Sequence, residues 1–184
     1  TRPLTPSALP EDPPAGPEAR AAARRGTLMH RLFERLPAVS AARRAEIARN
    51  WLALQGEEQE SAGRIADEVL AVLEHPHLAA LFAGDALVEA PIAGIVDGRP
   101  IAGTVDRLLV TAERVLIVDF KSGSRVPTTA ADVPAAYRRQ MAAYARVLAQ
   151  AFPGRRVEAG LLFTAAPKFL LLPDKLLQAA EPLA

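Results

Sequence analysis

The hydrophobic period of this chain changes once, near Gly84, and that change restricts the fold more than any other feature of the sequence. Before it, apolar residues recur at helical spacing; after it, short β-rich runs alternate with turn residues. From Pro17 to Leu36 prolines give way to alanine, arginine and leucine, with Met29, Phe33 and Leu36 on one stripe, which predicts a helix ended near Pro37. Ser40 stands as N-cap before a helix over Ala41 to Gln55. A further helical stretch, Glu57 to Leu73, carries Ile65, Val69, Val72 and Leu73 on one side, and a short apolar piece, Leu78 to Phe82, closes this half.

Beyond Gly84, Leu87 to Ile95 and Ile101 to Thr111 flank Asp97-Gly98, a strong hairpin signal. A second tight connection at Ala112-Glu113 leads into Arg114 to Phe120, completing a three-stranded antiparallel meander. After a loop from Ser122 to Pro134, a long helix over Ala135 to Ala151 ends at Pro153-Gly154, and Val157 to Thr164 reads as another strand. A strand, a helix of that length and a strand imply a crossover that adds the last strand parallel to one already in the sheet. The expected order is α-β-β-β-α-β: a mixed α/β sheet flanked by helices, with an N-terminal helical segment. Phe169 to Leu172 is a candidate edge strand and Asp174 to Ala180 a candidate terminal helix. The expected division is a proline-rich linker over 1–17 and one domain over 18–184, helical over 18–83 and α/β over 84–184. The lack of an initiating Met suggests a piece of a longer chain.

Half of the 184 residues are apolar, enough for a real core in one domain. The formal net charge of +1 announces no nucleic-acid surface by itself, so any DNA contact must come from local basic patches. The absence of cysteine removes disulfides, thiolate zinc sites, iron–sulfur clusters and cysteine nucleophiles, and fits a reducing cytoplasmic compartment. Apolar runs such as Val115 to Val118 are far too short to span a bilayer, so a soluble protein is expected. No Walker A sequence is present, which excludes an ATP site of that kind.

The chemistry concentrates on Asp106, on the second strand, and Asp119 and Lys121, on the third. A hairpin brings adjacent strands about 5 Å apart, so the two carboxylates can meet. Alternation along a strand puts Asp119 and Lys121 on one face and Phe120 on the other. Two ionised carboxylates repel unless a cation neutralises them, and hard oxygen ligands suit Mg²⁺ or Mn²⁺. Such an ion would polarise a phosphodiester, acidify a water and stabilise the leaving oxygen, while Lys121 orients the water or steadies the developing charge. Alone, Asp-x-Lys is a weak motif, since an Asp at a strand end is ordinarily a turn cap or a surface ion-pair partner. The second Asp across the hairpin, the apolar run before Asp119 and the helix after it strengthen the signal.

Gly103-Thr-Val-Asp106-Arg107, Ile117-Val-Asp119-Phe-Lys121-Ser-Gly123 and Gln140-Met-Ala-Ala-Tyr144, together with Gly26-Thr-Leu-Met-His30, resemble the RecB-family nuclease domain of the PD-(D/E)xK class over most of the chain. The nearest likeness is to the nuclease domain of AddA-type helicase–nuclease subunits. That resemblance implies a restriction-endonuclease-like core and a Mg²⁺-dependent DNA nuclease. His30, Asp106, Asp119 and the Phe120 backbone carbonyl would be metal ligands, Lys121 the catalytic lysine, and Gln140 and Tyr144 part of the DNA-facing side. It further implies single-stranded DNA delivered by an attached helicase, an AddB-type partner subunit and a place in double-strand-break repair. The missing cysteines set the chain apart from relatives that carry an iron–sulfur cluster.

The i,i+4 spacing of Gln140 and Tyr144 puts both on one helix face, where they either contact phosphate or pack the helix on the sheet. A single His in an Ala- and Arg-rich helix ordinarily has no special role; Gly26 before His30 would leave room for a strand or phosphate to approach. Glu89 is a candidate additional acidic residue, though a Glu in an exposed first strand is ordinarily solvated. His75 and His77 flank Pro76 at a helix end, which favours a connecting loop over a metal site. Arg24, Arg25, Arg31, Arg35, Arg43, Arg44, Arg138 and Arg139 are the candidates for phosphate contact, with Arg138 and Arg139 on the long helix foremost. The alternative to an enzyme is an inactive nuclease-fold module for DNA binding or subunit docking, against which intact Asp106, Asp119 and Lys121 argue.

Overall fold

The computed structural model describes Leu4 and residues 16–180. The linker expected over 1–17 therefore lies outside the described residues except at Leu4, Gly16 and Pro17. Leu4 forms a parallel bridge to Ile101, its amide donating to Pro100 O at 2.8 Å.

Helices α1 (Pro17–Arg35), α2 (Ala41–Leu54) and α3 (Gln59–Leu73) make up the first half. Pro17 opens α1 at a position where its missing amide costs nothing. Ser40 occupies the N-cap of α2, but its side chain makes no cap hydrogen bond; its carbonyl accepts from the Arg43 amide at 2.9 Å instead. Met29, Phe33 and Leu36 meet Leu52, Ile65, Val69 and Val72 in one core cluster, so the stripe seen in the sequence is the buried one. Each such large side chain stabilises the fold by about 1.5–3 kcal/mol.

The second half forms one five-stranded sheet in the order β1 (Ala86–Val96), β2 (Arg99–Val110), β3 (Arg114–Lys121), β4 (Arg156–Phe163), β5 (Lys168–Leu172). All neighbours are antiparallel except β3 and β4, which are parallel and joined through α4 (Ala135–Ala151). The short helix α5 (Asp174–Gln178) follows β5. Asp97 and Gly98 both have positive φ, 51° and 75°, the geometry a two-residue hairpin demands. Helices α1 to α3 cover one face of the sheet and α4 the other, so β3 is buried on both. That is why it reads as a continuous apolar run rather than an alternating one: Val115 and Ile117 enter the core under α4, Leu116, Val118 and Phe120 the core under α1.

The meander is interrupted at one place. The β1–β2 ladder pairs Val88 with Arg107 and Ala90 with Val105 but skips Glu89 opposite Asp106. Glu89 has φ 48°, in the left-handed region that costs a non-glycine residue about 1–3 kcal/mol. Across the interruption the pleat reverses: Val105 belongs to the core under α4, whereas Arg107 lies against Phe82 and Phe120 on the α1 side. On the other edge of β2 the ladder with β3 ends at Arg107 and Val118, so the strands part where Asp106 and Asp119 would be the next pair.

Helix α4 seats closely on this sheet because Gly103 of β2 carries no side chain; a Cβ there would lie 2.5 Å from Tyr144 Oη. Gly103→Ala is expected to destabilise the protein by about 1–3 kcal/mol. In contrast, Gly63→Ala on α3, where a Cβ meets nothing within 4 Å, is expected to stabilise it by about 0.4–1 kcal/mol. Denaturant midpoints of the two variants check both signs.

Candidate active site

Where β2 and β3 part, the carboxylate of Asp106 takes over the ladder's task. Its Oδ2 accepts the backbone N–H of Phe120, and its Oδ1 lies 3.1 Å from His30 Nδ1 on α1. The imidazole also sits edge-on to the Phe120 ring, with centroids 5.6 Å apart. The two helices bracket the opening of the sheet, α1 from one face and α4 from the other.

From the α4 side, Asp119 is held by two partners. Lys121 Nζ is 2.9 Å from Asp119 Oδ2, and Gln140 Nε2 donates to Asp119 Oδ1 at 3.0 Å. Gln140 closes the triangle, since its Oε1 accepts from Lys121 Nζ at 3.0 Å. The ring of Tyr137, one helical turn before Gln140, lies under the same ammonium, 4.1 Å from Nζ. Asp106, Asp119 and Gln140 are 8%, 6% and 4% exposed, so these are interior polar groups that must be satisfied within the protein.

Burial and charge act against each other here. At Asp119 burial is the strongest influence and pushes the carboxyl above its ordinary range, opposed by the Lys121 ammonium and reinforced by the charge of Asp106. Burial works against the Lys121 ammonium, but Asp119 outweighs it and raises its pKa. Burial likewise opposes protonation of His30, yet the hydrogen bond to Asp106 and the charges of Asp106, Asp119 and Glu89 raise it. Glu89 is raised by burial and by the nearby Asp106 and Glu34.

Ligand atoms of His30, Glu89 and Asp106 lie within 4.8 Å of one another, a cluster able to hold a metal ion. Asp119 stands outside that cluster, its oxygens turned to Lys121 and Gln140. Two carboxylates crowded beside one imidazole are a donor set that a hard divalent cation fits. Glu89 therefore enters the site, although its place in an exposed strand suggested a solvated residue. Its strained backbone turns it toward His30 and Asp106, a local event with no signature in the sequence.

Several expectations take a different form. Tyr144 is fully buried, packed against Gly103, so it fixes α4 on the sheet rather than lining an open face. Gln140 faces the carboxylate and lysine instead of an open strand path. Arg24, Arg25, Arg35 and Arg44 are spent internally: Arg24 pairs with Glu57, Arg25 with Glu68, Arg35 stacks over Trp51, and Arg44 Nε donates to Leu36 O and Val39 O. Arg139 lines a pocket with Arg99, Arg146 and Asp97 that contains none of the site residues, and Arg138 is half-buried. Arg31 does line the groove over the site, with Ala23, Gly26, Thr27, His30, Glu34, Glu89 and Ser122. Gly26 makes room for Ser122, whose Oγ would be 2.6 Å from a Cβ there, so the space is taken by the loop after Lys121. His75 and His77 face each other at 5.7 Å in the turn after α3, and among the described residues no third ligand joins them.

The raised pKa of His30 gives a stability signature without added metal. Its folded-state value lies above the ordinary 6.5, so the contact with Asp106 stabilises the fold fully below pH 6.5 and is lost as pH rises through the raised value. The unfolding free-energy difference between the natural chain and His30→Ala, followed by denaturant titration in EDTA, should shrink over that rise. A difference flat with pH would mean that the imidazole titrates as a free one.

Comparison with known proteins bears on this geometry. No curated protein matches the chain. Among solved structures, a Eubacterium rectale protein named as an exonuclease superposes with TM-score 0.57 over 86% of this chain at 16% identity, a likeness of fold. This chain spans 61% of that one's length. SSO0001 matches over 86% of this chain and 78% of its own at 12% identity, with TM-score 0.37. No described helix is long and apolar enough to cross a membrane. The family model for the PD-(D/E)XK nuclease superfamily matches residues 7–179, across both helical layers and the whole sheet with its paired aspartates and lysine, and the chain belongs to that superfamily.

Proposed function

We propose that this chain is a metal-dependent DNA nuclease domain that hydrolyses phosphodiester bonds, and that it serves as the nuclease module of an AddAB/RecBCD-type helicase–nuclease in double-strand-break repair. The observation that carries the reading is the meeting of two sets of groups where β2 and β3 part: His30 with Asp106, and Lys121 with Asp119 and Gln140. The motif resemblance supports the finer assignment. It makes an attached helicase and an AddB-type subunit the expected partners, single-stranded DNA the substrate and the cytoplasm the compartment.

His30, Asp106, Asp119 and the Phe120 carbonyl would hold Mg²⁺ or Mn²⁺, with Glu89 beside them. The bound ion would supply Lewis-acid polarisation of a phosphodiester and a lowered pKa for an attacking water. The protein's own residues do the rest. Asp106 fixes the Phe120 backbone through its amide, so that ligand and lysine strand move as one piece. Lys121, kept charged by Asp119, presents its ammonium to the water or to the phosphate oxygen on which charge accumulates. Gln140 and Tyr137 hold that ammonium in place when Asp119 turns to a cation. The groove bordered by Thr27, Arg31 and Ser122 offers hydroxyls and a guanidinium to a strand crossing His30.

The test is cleavage of labelled single-stranded DNA in Mg²⁺ or Mn²⁺, beside EDTA, Asp119→Ala and Lys121→Ala. Metal-dependent cutting should fall by about 10²–10³ or more in each variant. Equal inertness of all forms, persisting in the full helicase complex, would instead favour a DNA-binding or docking module without turnover. Gln140→Ala should lower kcat by about tenfold or more with little change in KM, because it loosens Lys121 without touching the strand's path. Steady-state kinetics separate the two constants.

A further inference from the structure

We infer that Arg107 is the positioning residue of the site: by bridging the end of α1 to β2 it sets where His30 stands relative to Asp106. Arg107 is 2% exposed, and among the described residues no carboxylate oxygen forms a direct ion pair with it, although the charges of Asp106, Glu89 and Glu34 reach it from farther away. A buried cation with no anion in direct contact is costly, so whatever takes the place of a paired anion must be specific.

Three things replace it. Arg107 Nη2 donates to the carbonyl of Phe33 and Nη1 to the carbonyl of Asp106 at 3.0 Å. In an uninterrupted helix Phe33 O would accept the amide of residue 37, but residue 37 is proline and has none. The proline that ends α1 thus leaves one carbonyl open, and the guanidinium fills it. That carbonyl belongs to the last turn of α1, where the helix dipole favours a cation. The faces of Phe82 and Phe120 complete the cage, 5.3 and 5.7 Å from the guanidinium carbon.

Each contact ends on a neighbour of the reacting groups. Phe33 lies one turn after His30 on α1, Asp106 is the residue whose carboxylate meets His30, and Phe120 sits between Asp119 and Lys121. The fork of one planar group spans helix and strand, which a single ammonium cannot do. Arg107 touches no substrate in this arrangement and acts through His30.

The experiment uses the whole chain with Arg107→Lys, which keeps the buried charge, and Arg107→Met, which keeps the bulk. Folding is checked by circular dichroism and thermal unfolding. In metal-free protein, side-chain ¹⁵N resonances of His30 report its contact with Asp106. The inference expects them to move to those of a free imidazole in each folded variant, with His75 and His77 unmoved. Mn²⁺ alone, followed by electron paramagnetic resonance, is expected to bind 10- to 100-fold more weakly. Combining either variant with His30→Ala should add no further loss, because both changes act through one ligand. This second arm rests on the metal-site reading; the first does not. If the natural chain binds no Mn²⁺ the metal reading fails, while the His30 resonances still decide the clamp. Unmoved His30 resonances in folded Arg107→Lys or Arg107→Met, or losses that add to those of His30→Ala, would overturn it.

Discussion

The hydrogen bond from the Phe120 amide to the Asp106 carboxylate is the contact around which this molecule is arranged. Two strands that part leave backbone donors unpaired, and a buried unpaired donor costs about 1–3 kcal/mol. Here a side chain rather than a carbonyl fills the gap, which lets β2 and β3 diverge inside the protein. The divergence opens the sheet between its two helical layers. Into that opening α1 brings His30 and α4 brings Gln140 and Tyr137.

The electrostatics follow from that placement. Two carboxylates are taken out of water and kept apart by their duties: Asp106 serves the Phe120 amide and His30, Asp119 serves Lys121 and Gln140. Apart from Glu89 beside Asp106, these partners donate a hydrogen or carry positive charge, so the site is largely a framework of donors around anionic oxygens. A hard divalent cation would meet the same carboxylate oxygens that these donors now serve. The rings of Phe33, Phe82 and Phe120 pack together on the opposite side of β3 from Asp119, with the Phe120 ring also edge-on to His30.

Much of the architecture was legible in the sequence because it rests on local physics. The stripe of Met29, Phe33 and Leu36, the Asp97-Gly98 turn and the double-sided apolar run before Asp119 each declare their element within a few residues. The capping of α2 was not legible in the same way, since a serine at the right place need not use its hydroxyl when its carbonyl already serves. The partners of the arginines are hidden for a related reason. Their sequence positions mark them as basic, but whether Arg25 meets a phosphate or Glu68 depends on which helix packs beside it. Tyr144 and Gln140 share a helix face yet differ in role, because the sheet beneath one is a glycine and beneath the other the ion pair of Asp119 and Lys121.

The sequence by itself determined the order of elements, the pairing of Asp119 with Lys121 on one strand face, and the membership in a nuclease superfamily that those motifs announce. Only the tertiary structure decided that Glu89 turns into the site, that Arg107 joins α1 to β2, and that Tyr137 underlies Lys121. The reason is the range of the forces involved. Period, turn chemistry and strand alternation act over a few residues and leave a pattern in the chain. A reversed pleat, an orphaned carbonyl filled from 74 residues away, and a ring beneath an ammonium arise when distant segments are pressed together, and they exist only once both layers have closed on the sheet.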